Sequence, residues 1–150
     1  MKKIPILSIV IVNWNTKKYL TKCLSSIYKN NLPILLEVVV VDNDSKDYSA
    51  EMVRKKYPWV KLIANKNNNG FAGGNNQGWK KSTGNYILFL NPDVLVQPTT
   101  ISPMIRYLEE NANIGIIAPK LINPNGSLQY SCRRYPTLTT HFLKFFSKKT

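Results

Sequence analysis

Three apolar runs, residues 4–12, 37–41 and 86–90, constrain this chain more than any other feature: each is nearly unbroken and each stops at a polar cluster. Runs so rich in Ile and Val, without polar alternation, suit strands covered on both faces, as in a parallel sheet layered by helices. The run 37–41 ends in Asp42, and the run 86–90 ends in Asn91-Pro92-Asp93. Parallel α/β sheets gather their ligands at the carboxyl ends of the strands. Two strands that each release an aspartate there suggest one crevice needing negative charge, suited to holding a divalent cation against a phosphorylated ligand.

The segments between the runs carry helical spacing. Leu20, Cys23, Leu24, Ile27 and Tyr28 recur at i, i+3, i+4, i+7 and i+8, with Asn15 or Thr16 as the N-cap. Asp47 or Ser49 starts a short helix that turns Met52, Val53 and Tyr57 inward. Residues 60–63 read as a third strand, and residues 65–70 as a turn. Gly73-Gly74 then leads into a helix through Asn76, Trp79 and Lys80. Thr99 or Thr100 caps another helix with Ile101, Met104, Ile105 and Leu108 on one stripe, and residues 114–118 return as a strand. This alternation implies an α/β fold with right-handed crossovers. Asn123-Pro124-Asn125-Gly126 forms a tight turn, residues 127–133 read as a strand or an irregular loop, and residues 141–149 read as a basic amphipathic helix.

Composition narrows the class. A chain of 150 residues with 43% hydrophobic content can pack one core. Lys and Arg number 21 against 8 Asp and Glu, a net charge of +13 that attracts nucleotide phosphates, nucleic acid or an anionic membrane. No acid follows Glu110, so the C-terminal part is basic. Two cysteines make neither a disulfide framework nor a metal cluster, no signal-peptide pattern opens the chain, and the expected compartment is the cytoplasm. No run reaches the ~20 apolar residues of a membrane span, so membrane contact, at the cytoplasmic face, is either peripheral or supplied by sequence outside this chain.

Each motif has a bland counterpart. Asp42-Asn43-Asp44-Ser45 suits a ribose, a base edge or a metal, yet Asp and Ser also cap helices; Asp44 and Ser45 sit best for capping and Asp42 for a ligand. Asp93 sits between two apolar runs, where a buried carboxylate calls for a cation or a network of donors. The segment 69–78, with its glycines and amides, suits close approach to phosphate or sugar hydroxyls, or else is a long surface turn. It lacks the Gly-Lys-Ser/Thr ending of a P-loop, and no Gly-x-Gly-x-x-Gly follows the first run, against kinases, NTPases and NAD enzymes. Trp14 either stacks on a nucleobase or lids the core. Cys23 falls on an apolar stripe as a core residue, and His141 lies among phenylalanines in a packing or surface position.

Taken in order, four segments resemble the nucleotide-sugar-binding half of family 2 glycosyltransferases, which have the GT-A fold, a Rossmann-like, mostly parallel sheet flanked by helices. They are Ser8-Ile9-Val10-Ile11-Val12-Asn13-Trp14-Asn15, Val41-Asp42-Asn43-Asp44-Ser45-Lys46-Asp47, residues 69–78 and Leu90-Asn91-Pro92-Asp93. The resemblance covers residues 8–136, and the later segment 125–136 is similar to the rhamnosyltransferase-like branch. It implies a donor domain over residues 1–136, followed by a basic segment 137–150 that opens an acceptor-binding part, so that the chain is truncated.

The resemblance also implies roles. Val12 and Trp14 line the base pocket, Asp42 bonds the base or ribose, Asn76 helps close the donor site, and Asp93 holds Mg²⁺ or Mn²⁺ on the diphosphate. Asn91 stands where the family's Asp-x-Asp motif has its first acid, as a neutral hydrogen-bonding partner. The implied reaction is inverting transfer of a sugar, rhamnose from a dTDP-linked donor being the expectation, to a glycan or lipid-linked acceptor. The general base belongs to the family's later half, and this chain has no acid after Glu110 to supply it. A noncatalytic nucleotide-sugar-binding scaffold is the first alternative. A basic nucleic-acid-binding module is the second, and nucleic acid is not the expected partner because no recognition-helix, RNP-like or zinc pattern accompanies the charge.

Overall fold

The computed structural model describes residues 6–30 and 34–131. In chain order the elements are β1 (Leu7–Asn13), α1 (Lys17–Lys29), β2 (Leu36–Asp42), α2 (Ser49–Lys56), β3 (Lys61–Ala64), α3 (Gly70–Lys81), β4 (Tyr86–Phe89), α4 (Ile101–Glu110), β5 (Leu121–Ile122) and β6 (Leu128–Gln129). The chain divides into two compact units, Met1–Gly115 and Ile116–Thr150.

In the first unit β1 to β4 form one sheet in the order β3-β2-β1-β4, every neighbouring pair parallel. The continuous apolar runs are explained by this arrangement. On one face Ile9, Ile11, Val38 and Val40 pack with Leu20, Cys23, Leu24 and Ile27 of α1, Met52 and Val53 of α2, and Ile101 and Ile105 of α4. On the other, Val10, Val12, Val39 and Val41 lie under α3. The central positions of β1 and β2 are thus apolar on both faces because each face is covered by a helix layer.

α3 comes unusually close to the sheet. A Cβ built on Gly78 would sit 2.3 Å from Val10 Cγ1, and one on Gly74 would sit 2.7 Å from Val12 Cγ1. The two glycines, four residues apart on one helix face, let backbone rest on valine side chains where any other residue would collide. The helix begins at Gly70, before the expected Gly73-Gly74 start, with Asn68 Oδ1 accepting the Gly70 N–H at 2.8 Å.

The amino ends of the strands are tied by Glu37. Its carboxylate accepts from Ser8 Oγ at 2.6 Å, from Thr83 Oγ1 at 2.9 Å, and from Lys61 Nζ and the Thr83 N–H. Burial raises the carboxyl, but the donors together outweigh it and bring Glu37 down to about 2. At the other end Asp47 caps two helices: Oδ2 accepts the Lys17 N–H at 2.7 Å at the start of α1, and Oδ1 accepts the Ser49 N–H at 3.0 Å at the start of α2. Neither Asn15 nor Thr16 makes a side-chain cap on α1, and Ser49 is the first residue of α2 rather than its cap.

Residues 114–118 form no strand, contrary to the sequence expectation, and Ile116 is 92% exposed. A strand needs a partner to take its backbone hydrogen bonds, and no described strand pairs with this run. In the second unit the expected turn does form. The Gly126 N–H donates to the Asn123 carbonyl at 2.9 Å, and β5 and β6 pair antiparallel around it. The basic segment 137–150, including His141, lies outside the described residues.

Candidate donor site

Because the sheet is parallel, the ends of β1, β2 and β3 and the turn after β4 lie at one edge. Asn13 pairs with Asp42, and Asp42 with Ala64. Val10 pairs with Phe89, so Asp93 follows Phe89 by the same four residues that separate Trp14 from Val10. The sheet therefore brings Trp14, Asp42, Asn91 and Asp93 to the same end.

Two polar layers build that end. On the α1 and α2 side Asn13 is fully buried and fully engaged. Its amide donates to Asp42 Oδ2 at 2.8 Å and to Ser45 Oγ at 3.1 Å, and its Oδ1 accepts from Thr16 Oγ1 at 2.6 Å. Asp42, only 2% exposed, also accepts the Ser45 N–H on Oδ1 at 2.9 Å. Asp42 itself thus performs the loop-bracing expected of Asp44 and Ser45, while Asp44 pairs with Lys46 at 2.7 Å. On the α3 side Asn43 donates to the Gly70 carbonyl at 3.0 Å, and Asn65 donates to Asn43 at 2.9 Å and to Gln77 at 2.7 Å. This chain of amides pins the start of α3 to the strand ends.

Asn15 and Asp44 adopt left-handed backbone, φ 52 and 62, as does Tyr48 at φ 63. Asn and Asp tolerate that region. For Tyr48 it is strained, and the ring lies 5.6 Å from the Lys17 ammonium. Strained backbone of this kind clusters at functional sites.

Asn91 and Asp93 are both exposed. Asn91-Pro92-Asp93-Val94 is a turn in which the Val94 N–H approaches the Asn91 carbonyl at 3.3 Å. The expectation that Asp93 is a buried charge needing a partner is corrected: among the described residues β4 is the last strand at its side of the sheet, and the turn leaves the carboxylate exposed. Asp93 lies near enough to Cys23 to act on it. Burial pushes the Cys23 thiol up to about 12, and the Asp93 charge adds to the effect, so this core cysteine stays neutral.

The other sequence candidates divide. Trp14 is 56% exposed, which rules out a lid on the core and leaves its indole free for a ligand. Val12 is buried against Gly74, beneath the site rather than in its wall. Asn76 is exposed on α3, about 180° round the helix from the Gly74 and Gly78 face, so the structure does not bring it to the strand ends. The sequence assigns no role of their own to Asn13, Asn65 and Gln77, and places Asn43 only within the Asp42-Asn43-Asp44-Ser45 motif. A polar residue closing a buried strand, as Asn13 and Asn43 do, was the available signal.

Residues 8–149 match the family model described as glycosyl transferase family 2. The chain belongs to glycosyltransferase family 2. Among its relatives, this family 2 chain is 32% identical over 116 residues to the minor teichoic acid biosynthesis protein GgaB of Bacillus subtilis, covering 74% of the chain and 13% of that protein. The crystal structure of Staphylococcus aureus TarS 1–349 in complex with UDP superposes with a TM-score of 0.64 at 28% identity, over 71% of this chain and 32% of that 1–349 chain. The mannosyltransferase PcManGT of Pyrobaculum calidifontis, solved with GDP-Man and Mn²⁺, superposes with a TM-score of 0.63 at 24% identity, over 71% of the chain and 33% of that protein, which shows a shared fold. The family 2 chain thus has the GT-A fold and spans at most about a third of these three proteins.

Proposed function

We propose that this family 2 chain binds a nucleoside-diphosphate sugar at the carboxyl edge of its sheet and carries the donor half of an inverting glycosyl transfer. The observation that supports this most is the exposed Asp93 carboxylate, at the same sheet edge as Asp42 and the free indole of Trp14. Trp14 stacks on the base. Val12 supplies the packed floor beneath it. Asp42, whose oxygens each keep a lone pair beyond their bond to Asn13 or Ser45, accepts from the base or ribose. Asn91 bonds a ribose hydroxyl as a neutral amide.

Asp93 holds Mg²⁺ or Mn²⁺. Among the described residues no group of three His, Cys, Asp or Glu side chains forms a metal cage. One carboxylate beside an amide nevertheless fits these ions, which keep several waters and take one or two carboxylates plus substrate phosphates. A divalent ion held there would supply positive charge to offset that of the nucleoside diphosphate leaving group. Asp93 fixes that ion and the diphosphate oxygens at the strand end, while the braced Asn13–Asp42 pair fixes the nucleoside.

Similarity of residues 125–136 to rhamnosyltransferases supports rhamnose from a dTDP-linked donor, with a glycan or lipid-linked acceptor at the cytoplasmic face of the membrane. The transfer base is not among the acids of this chain, so the 150 residues bind donor and transfer sugar poorly. A noncatalytic scaffold is the second reading, favoured by Asn91 in place of an acid.

Calorimetric titration with dTDP-rhamnose, UDP-N-acetylglucosamine and GDP-mannose, each with and without Mn²⁺, tests the proposal. Metal-dependent binding strongest for dTDP-rhamnose is expected. Preference for another donor would overturn the sugar, and no binding of any would overturn the site.

A further inference from the structure

α1 carries a pattern that the donor site does not use. Its core face is Leu20, Cys23, Leu24 and Ile27. Directly opposite runs a ridge of exposed lysines: Lys22 and Lys29 lie within about 40° of Lys18 round the helix. The ridge extends about 16 Å, and α1 contains no acidic residue. Tyr19 and Tyr28, both more than half exposed, flank it on either side, and Tyr28 stacks on Trp59 at 6.0 Å. At the N-terminal end the ridge borders a cleft of about 630 Å³ lined by Lys17, Lys18, Lys22, Tyr19 and Asp47. Asp47 is the single acid there, and its two oxygens are occupied by the starts of α1 and α2.

We propose that the α1 ridge docks this protein on an anionic bilayer surface, Lys18, Lys22 and Lys29 meeting lipid headgroups while Tyr19 and Tyr28 enter the interfacial layer. A straight row of cations matches a plane of anions better than one small ligand, and attraction of this kind grows with each lysine at the surface. Tyrosine rings, apolar in body and polar at the tip, suit the water–lipid boundary. No helix among the described residues is long and apolar enough to cross a membrane, so contact through this face is peripheral. α1 starts at the donor-site edge and turns its Leu20–Ile27 face into the core, so its lysine ridge faces away from the sheet. The surface is distinct from the donor site, and the proposal does not depend on donor binding.

The test is co-sedimentation of the full chain with vesicles of phosphatidylcholine, alone or mixed with phosphatidylglycerol. The variant Lys18→Gln/Lys22→Gln/Lys29→Gln is compared with Lys66→Gln/Lys80→Gln/Lys81→Gln, which removes equal charge from the loop before α3 and from α3 itself. Circular dichroism confirms that both fold. The expected result is binding to the mixed vesicles only, weakened about a hundredfold in the ridge variant and far less in the control. Equal weakening in the two variants, or equal binding to neutral vesicles, would overturn the proposal. So would a ridge variant that loses affinity for duplex DNA while keeping it for vesicles, which would assign the ridge to nucleic acid.

Discussion

The side-chain amide of Asn13 donates to Asp42 Oδ2 at 2.8 Å across the parallel pair β1–β2, both residues buried at the strand ends. This bond joins the loop that presents Trp14 to the loop that presents Asp42. Asn13→Ala leaves the nearly buried Asp42 with one fewer donor, and it frees Ser45 and Thr16 as well. The expected loss is about 2 kcal/mol, read as a lower urea midpoint with an unchanged slope. Asn13→Asp sets two carboxylates side by side and costs more.

The closeness of α3 to the sheet predicts a steric penalty. Gly78→Ala brings a Cβ to 2.3 Å of Val10 Cγ1, and the expected destabilisation is about 1–3 kcal/mol. Val10→Ala in the same chain recovers part of that loss, because the two sites share one contact. Gly115→Ala, where nothing lies within 4 Å, stays near neutral.

Glu37 predicts an acid limb to stability. Its folded value of about 2 lies below the ordinary 4.5, so its contribution is complete above about pH 4.5 and fades as pH falls toward 2. Solvent screening of this partly exposed group and its Lys61 partner reduces the whole contribution to about 1–2 kcal/mol. Denaturation curves between pH 2 and 7 should show that slope in the parent and a flatter one in Glu37→Gln.

The layered sheet was legible because β-branched runs covered on both faces have no polar alternation, and residues 7–13 and 36–42 have none that matters to the core. Cys23 and Tyr57 were placed inward correctly by helical spacing. What the sequence hid was relational. Asp47 caps α1 from thirty residues downstream, a contact that only the β1–β2 register creates. The amide chain through Asn43, Asn65 and Gln77 likewise joins three separate segments. Asp93 was read as buried because apolar residues surround it in sequence, whereas the edge position of β4 and the turn at Pro92 expose it. Residues 114–118 have strand composition but no described partner, and composition cannot supply one.

Asp93 as the metal-holding residue of a nucleotide-sugar site is the central claim. Its most direct measurement is calorimetric titration of dTDP-rhamnose with Mn²⁺ into the parent chain and into Asp93→Ala. The exposed position of Asp93 leaves folding intact in the variant, which circular dichroism checks. The account predicts that the Mn²⁺-dependent part of the affinity disappears in Asp93→Ala while the weak metal-free binding persists. Mn²⁺-dependent affinity equal to that of the parent would contradict it.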